Sequence, residues 1–108
     1  MIFNNIVNHL KLWCINKAEA YQKVYGIFGG VTYVGYQVAY ELKFKLSTLI
    51  DRSFEGIEAL KREVLNLIDV HYEPSILEPQ NSLAQHIIDK TNREFCKFLD
   101  ELLPKRKL

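Results

Sequence analysis

This chain of 108 residues has few cysteines and few prolines, and it has no large excess of charge of either sign. The two cysteines, Cys14 and Cys96, are too few for a disulfide framework, and each lies among apolar residues, so we expect both to be reduced packing thiols. Lysine and arginine number 14 against 13 aspartates and glutamates, and this near balance argues against a uniformly basic nucleic-acid-binding face. With 48% hydrophobic and 25% charged residues, the composition is typical of a small folded domain rather than a disordered chain.

Patterns for catalysis and metal binding are also missing from the sequence. The three histidines, His9, His71 and His86, lie in different segments, and none stands at ligand spacing from a cysteine or a carboxylate. The glycines at positions 26, 29 and 30 form neither a Walker A loop nor a dinucleotide-binding motif. We therefore expect no enzymatic activity, no metal and no cofactor, and neither a small-molecule substrate nor nucleic acid as a partner.

The small net charge results from a cancellation along the chain. Residues 1–50 carry a net charge of +3, residues 51–103 carry −5, and residues 104–108 add +3. A basic, tyrosine-rich first half followed by an acidic second half indicates two roles in one chain. The N-terminus lacks the pattern of a secretory signal and only weakly resembles a mitochondrial presequence. We expect a membrane-associated intracellular location, with mitochondria as one candidate and the cytoplasm as the alternative.

Hydrophobic periodicity divides the chain, which we interpret as a single small domain, into six segments. Prolines at positions 74 and 79 indicate a linker, since proline disrupts a helix interior, and Pro104 ends the last helix. The segments are an amphipathic helix over 1–21, an apolar Gly/Tyr-rich segment over 24–42, an amphipathic helix over 46–70, a Pro-containing linker over 71–81, a C-terminal helix over 82–103 and a basic tail over 104–108.

The uncharged stretch over 24–40 is compatible with two structures. With a period of two, its aromatic and β-branched residues alternate with small and polar ones, and Gly29-Gly30 supplies a hairpin turn. With a period of 3.6, its apolar residues form one stripe that continues into the following helix. The predicted fold class is mainly α, with amphipathic helices around the Gly/Tyr-rich segment. The alternative is α+β, with a β-hairpin over 24–46 packed by helices.

As a helix, this stretch has features of a membrane-inserted or interfacial segment. Gly26 and Gly30 form a G-x-x-x-G, which lets two helices approach closely, and tyrosines and lysines flank the stretch. Its length is at the lower limit for a membrane span. The residues expected to contact a membrane or a packed helix are Tyr25, Gly26, Gly30, Val31, Val34, Tyr36, Val38 and Tyr40.

The segment over 46–70 has apolar residues in a four-three rhythm, interrupted near Ser53, as in a coiled coil. Gly56 is its one poor helix former. The stretch is short for an autonomous coiled coil, and an amphipathic helix of a bundle accounts for the same pattern. The residues of the predicted partner seam are Leu46, Ile50, Ile57, Leu60, Val64 and Leu67.

These patterns predict a non-enzymatic, membrane-associated scaffold or assembly subunit that uses helix–helix contacts with a protein partner or with itself. A Gly-rich apolar segment followed by a long charged helix, over about residues 24–70, resembles the small accessory subunits of membrane complexes. The alternative is a soluble α+β interaction module, an adaptor or a homodimer, whose β-hairpin binds another protein.

Overall fold

The computed structural model describes residues 2–28, 30–69 and 79–103. Within these ranges the regular structure consists of four helices: α1 over Ile2–Phe28, α2 over Gly30–Ser47, α3 over Phe54–Asp69 and α4 over Pro79–Leu102. The mainly α prediction is therefore confirmed. The alternative β-hairpin over 24–46 is wrong, because this part of the chain lies in α1 and α2 apart from Gly29, which is outside the described residues.

Burial along α2 explains why the helical period prevails over the period of two. Val38, Leu42 and Leu46, spaced four residues apart, are all buried, as one face of a helix requires. A strand would have buried Tyr40 and Phe44 together with them, yet both of these side chains are exposed. Packing of the buried face compensates for the low helix propensity of the β-branched residues in this segment.

Helices α1 and α2 form an antiparallel pair, so the apolar segment predicted over 24–42 is divided between two helices. Their close approach occurs where Gly35 faces Tyr21. A Cβ atom at Gly35 would lie 2.6 Å from Cζ of Tyr21, well inside van der Waals contact. A side chain at position 35 would therefore require the Tyr21 ring to shift.

The junction between α2 and α3 divides the helix predicted over 46–70. At the end of α2, the backbone N–H and the hydroxyl of Thr48 each donate to the carbonyl oxygen of Phe44 at 3.0 Å. At the start of α3, the backbone N–H of Gly56 donates to Oγ of Ser53 at 3.3 Å, as at an N-cap. The Ser53 hydroxyl thus satisfies a backbone N–H that a continuous helix would have paired internally, whereas the Thr48 hydroxyl adds a second donor to a carbonyl that already accepts the last helical bond of α2.

Helix α4 begins earlier than the sequence pattern indicates. It starts at Pro79, within the predicted linker over 71–81, because proline is well tolerated in the first helical turn, where its missing N–H has no partner to lose. The rest of that linker before Pro79 and the tail over 104–108 lie outside the described residues.

The hydrophobic core lies between α4 and the other three helices. Helix α4 packs against α2 and α3 and, less extensively, against α1. A hydrogen bond of 2.8 Å joins the Tyr21 hydroxyl of α1 to the Thr91 hydroxyl of α4. The fully buried side chains with the largest volumes are Phe95, Leu10, Ile57, Leu99, Val64, Thr91 and Cys14. With one face of α2 committed to this core, the opposite face is directed outward.

Candidate functional site

Large aromatic side chains are concentrated on the outward face of α2. Tyr33, Tyr40 and Phe44 are 41%, 43% and 68% exposed, and spacings of seven and four residues place them on one side of the helix. The ring of the half-buried Tyr36 stacks on Tyr33 at 5.7 Å between centroids and meets Tyr40 edge-on at 4.8 Å. We call these four residues the aromatic face.

A groove beside the aromatic face separates the end of α2 from the start of α3. It has a volume of about 800 Å³, and we call it the apolar groove. Ile50, in the loop between the two helices, is 98% exposed at its edge. The apolar side chains that line the groove are Tyr40, Phe44, Leu49, Ile50, Ala59 and Leu60.

Carboxylates predominate among the charged groups of the apolar groove, which are Glu41, Lys45, Asp51 and Glu63. Nζ of Lys45 lies 2.5 Å from Oε1 of Glu63, so these two charges compensate each other. Asp51 accepts a hydrogen bond from the Ser53 hydroxyl, and Glu41 forms no ion pair with any residue in the described ranges. The rim of the groove is therefore negative.

The loop that carries Ile50 is held against the first turn of α3. Its Asp51 carbonyl passes so close to Gly56 that a Cβ atom there would overlap the oxygen. The Asp51 carboxylate also accepts from the Ser53 hydroxyl at 2.5 Å, and Ser53 caps α3. This arrangement fixes the edge of the apolar groove before any ligand binds, which reduces the entropy lost on binding.

The structure separates the residues predicted to contact a membrane or a helix. Val38 is buried in the core and Val34 is half-buried against it, whereas Tyr36 and Tyr40 belong to the aromatic face. Gly26 is in α1 and Gly30 is the first residue of α2, so the predicted G-x-x-x-G does not lie on one helix. At Tyr25, Gly26, Gly30 and Val31 the structure describes the helical backbone and not the side chains or their surroundings.

Most of the predicted partner seam lies inside the chain's own core. Leu46, Ile57, Leu60 and Val64 are at most 5% exposed, so their apolar contacts are made within the chain. Their pattern is that of a bundle helix, and Ile50 is the exposed residue among the five seam side chains that the structure describes. At Leu67, the last member of the seam, the structure likewise describes the helical backbone and not the side chain.

Both cysteines are free and buried, as the sequence predicts. Burial raises the pKa of the Cys14 thiol to about 12 and that of the Cys96 thiol to about 11, which keeps both protonated and poorly nucleophilic at neutral pH. Within the described ranges, which contain His9 and His86 but not His71, no three histidine, cysteine or carboxylate side chains are grouped to hold a metal ion.

The helices described by the structure do not include one with both the length and the hydropathy needed to cross a bilayer. The interpretation of residues 24–42 as a membrane-spanning helix is therefore not supported, and these residues are also divided between α1 and α2. Contact with a membrane surface stays a prediction.

Sequence reasoning identified Tyr36 and Tyr40 but missed Tyr33, Phe44 and the apolar groove. The signal that could have found the face is the spacing of its aromatic residues at 33, 36, 40 and 44, which is helical and opposite to the buried valine and leucine positions.

The chain matches no protein-family model, no curated protein and no solved structure.

Proposed function

We propose that this protein is a non-enzymatic helical assembly module that binds an amphipathic helix of a partner protein in the apolar groove. The observation that supports this function is the aromatic face of α2 lying directly beside that groove. Exposed apolar side chains are normal when isolated, but contiguous ones beside a groove are typical of interaction sites. The proposal retains the helix–helix contacts that the sequence predicts.

The lining of the groove favours a helix as the ligand. Its walls come from two helices and a short loop, and apolar groups such as Phe44 and Leu49 line its length. Grooves of this kind accept the apolar face of an amphipathic helix through anchors spaced three or four residues apart. Large aromatic side chains frequently supply most of the binding free energy in such interfaces.

The charges at the groove favour a partner helix with basic residues beside its apolar face. Glu41 and Asp51 contribute negative charge, while Lys45 is already paired with Glu63. Lysine or arginine residues on the partner would complement this rim, whereas acidic residues would be repelled and would associate more slowly.

Two designed peptides test the proposal directly. Both are amphipathic helices of about five turns with the same apolar face, and one is flanked by lysine and arginine whereas the other is flanked by glutamate. We expect saturable binding of the basic peptide by fluorescence anisotropy and binding of the acidic peptide at least about tenfold weaker, since opposite-charge complementarity disfavours wrong partners.

Two variants establish where the peptide binds. Phe44→Ser removes an exposed ring from the groove, and Leu12→Ser is a matched control because Leu12 is also a large exposed apolar residue, 53% exposed on α1. We expect weaker binding only for F44S. Equal binding by both variants, or no saturable binding by the wild-type protein, contradicts the proposal.

Sedimentation of the protein without peptide tests the other possible occupant of the groove. We expect a monomer over the concentration range of the binding assay. A dimer that is abolished by F44S would identify a second copy of this chain as the occupant and would overturn the choice of a foreign helix.

A further inference from the structure

A second pocket lies between α2 and α4, and it shares two wall residues, Glu41 and Lys45, with the apolar groove. Its volume is about 290 Å³, which leaves room for one long side chain. We call it the Asn92 pocket. Its lining residues are Val38, Glu41, Leu42, Lys45, Gln85, Ile88 and Asn92.

The Asn92 carboxamide is the unusual feature of this pocket. Asn92 is only 4% exposed, yet its side chain forms no hydrogen bond with any residue in the part of the chain that the structure describes. The neighbouring Thr91 is also buried, at 0% exposure, but its hydroxyl is paired with that of Tyr21. Buried polar groups without a partner are rare because they destabilise a fold, so a ligand group that bonds to Asn92 is favoured.

The other polar groups of the pocket offer mainly acceptors. Gln85 uses its Nε2 to donate to Asp89 at 3.0 Å, which leaves its carbonyl oxygen available. Lys45 is committed to Glu63, so its charge is compensated. The Glu41 carboxylate forms no ion pair with a described residue. The ligand that fits these groups therefore carries positive charge and several donors.

We propose that the Asn92 pocket binds the guanidinium group of an arginine side chain supplied by the partner helix. This inference rests on the proposed function, because the partner contributes the arginine. The guanidinium donates to the Glu41 carboxylate and to the carbonyl oxygens of Asn92 and Gln85, which accept these hydrogen bonds. Its planar, multiple donors suit separated acceptors better than a compact lysine ammonium does.

The remaining walls of the pocket suit the hydrocarbon part of the same side chain. Val38, Leu42 and Ile88 are apolar and line the pocket together with the polar groups. Arginine packs its methylene groups on apolar surface while its charged end reaches polar partners. An anionic ligand is disfavoured by the Glu41 carboxylate, and a bound water molecule alone would satisfy Asn92 without involving Glu41.

Titration with a small probe tests the pocket independently of the apolar groove. The probe is N-acetyl-arginine methylamide, and its matched control is the citrulline analogue, in which a neutral urea group replaces the guanidinium. We expect the probe to shift the side-chain amide NMR signals of Asn92 and Gln85 in a saturable manner, and the citrulline analogue to bind at least about tenfold more weakly, since charge-assisted hydrogen bonds are the stronger ones.

Two variants that each replace a glutamate by glutamine complete the test. Glu41→Gln should weaken binding of the arginine probe about tenfold, while Glu55→Gln, at an exposed position on α3 outside the pocket, should leave it unchanged. Asn92→Leu should abolish the response of Gln85 while the protein stays at least as stable, because it removes a buried amide without a partner.

The proposal is overturned if Asn92 does not respond to the probe, if citrulline binds equally well, or if E41Q has no effect. Because the probe has no apolar helix, these outcomes do not depend on the apolar groove. The F44S variant should bind the probe normally, and a failure of the peptide assay with a successful probe titration would reject the proposed function but retain the arginine pocket.

Discussion

Replacement of Gly56 by alanine should destabilise the protein even though alanine is the better helix former. Glycine inside a helix is less favourable than alanine by about 1 kcal/mol, so helix propensity alone predicts stabilisation. In the structure, however, the alanine Cβ would overlap the carbonyl oxygen of Asp51 and lie 2.8 Å from its carbonyl carbon. Both of these atoms belong to the backbone, which cannot rotate away as the end of a side chain can.

The size of the destabilisation depends on the contacts that are disturbed when the Asp51 backbone is displaced. The Asp51 carboxylate accepts from Ser53, and Ser53 caps the N–H of residue 56, so displacing the loop also disturbs the cap of α3. Overpacking of this kind costs about 1–3 kcal/mol. We therefore expect G56A to lower the free energy of unfolding by about 2 kcal/mol and the melting temperature by about 10 °C.

Thermal and urea denaturation followed by circular dichroism measure this difference. Asn66→Ala is the control, because Asn66 is exposed on the same helix and its replacement raises helix propensity without creating an overlap. N66A should be as stable as the wild-type protein or more stable. A melting temperature of G56A equal to or above that of the wild-type protein would refute the argument from the Asp51 contact.

Three further predictions concern the core. Tyr21→Phe should lower the free energy of unfolding by about 1–2 kcal/mol in urea titrations, because it leaves the buried Thr91 hydroxyl without its partner; an unchanged midpoint would contradict this. Phe95→Ala should cost about 3–5 kcal/mol, since Phe95 is fully buried, and a cooperative transition close to that of the wild-type protein would show that its packing matters little. The thiols of Cys14 and Cys96 should react with a disulfide reagent at neutral pH only after unfolding. Burial raises the pKa of the Cys14 thiol from the usual 9.0 to about 12 and that of the Cys96 thiol to about 11. The contribution of the two thiols to stability is therefore complete below pH 9 and is lost as the pH rises toward these values. A variant with alanine at both positions should accordingly show a shallower decline of stability above pH 9.

The helical class could be inferred from the sequence because the apolar residues of α2 and α3 keep a helical period. Ile57, Leu60 and Val64 are all buried, as their spacing indicates. What this buried face packs against could not be inferred, because the same spacing is found in helices that pack on a partner protein and in helices that pack on the same chain. The choice depends on α4, which packs against α3 from a distant part of the sequence.

The break between α2 and α3 was harder to predict because its signals are weak individually. Ser53 is a good N-cap residue, but the glutamate of a capping box is replaced at the third position by Gly56. That glycine stood out in the sequence only as a poor helix former. In the structure it is the residue that lets the Asp51 backbone pass close to α3.

The two proposed binding sites had little or no sequence signature. Phe44 alternates with polar neighbours, as residues on a strand would, and its exposure becomes clear only when Leu42 and Leu46 are known to be buried. The Asn92 pocket combines residues of α2 with residues of α4. Such pairings arise from tertiary packing and leave no local spacing to recognise.

The position of α4 in the chain has a consequence for how the protein folds while it is being synthesised. Phe95 and Leu99, both fully buried, are made after the members of the same hydrophobic core that lie on the first three helices, among them Leu10 and Val64. Until α4 has left the ribosome, the apolar faces of the first three helices lack that cover and are open to aggregation. The growing chain is therefore a candidate client for chaperones that bind exposed apolar helices, and this need ends when α4 docks.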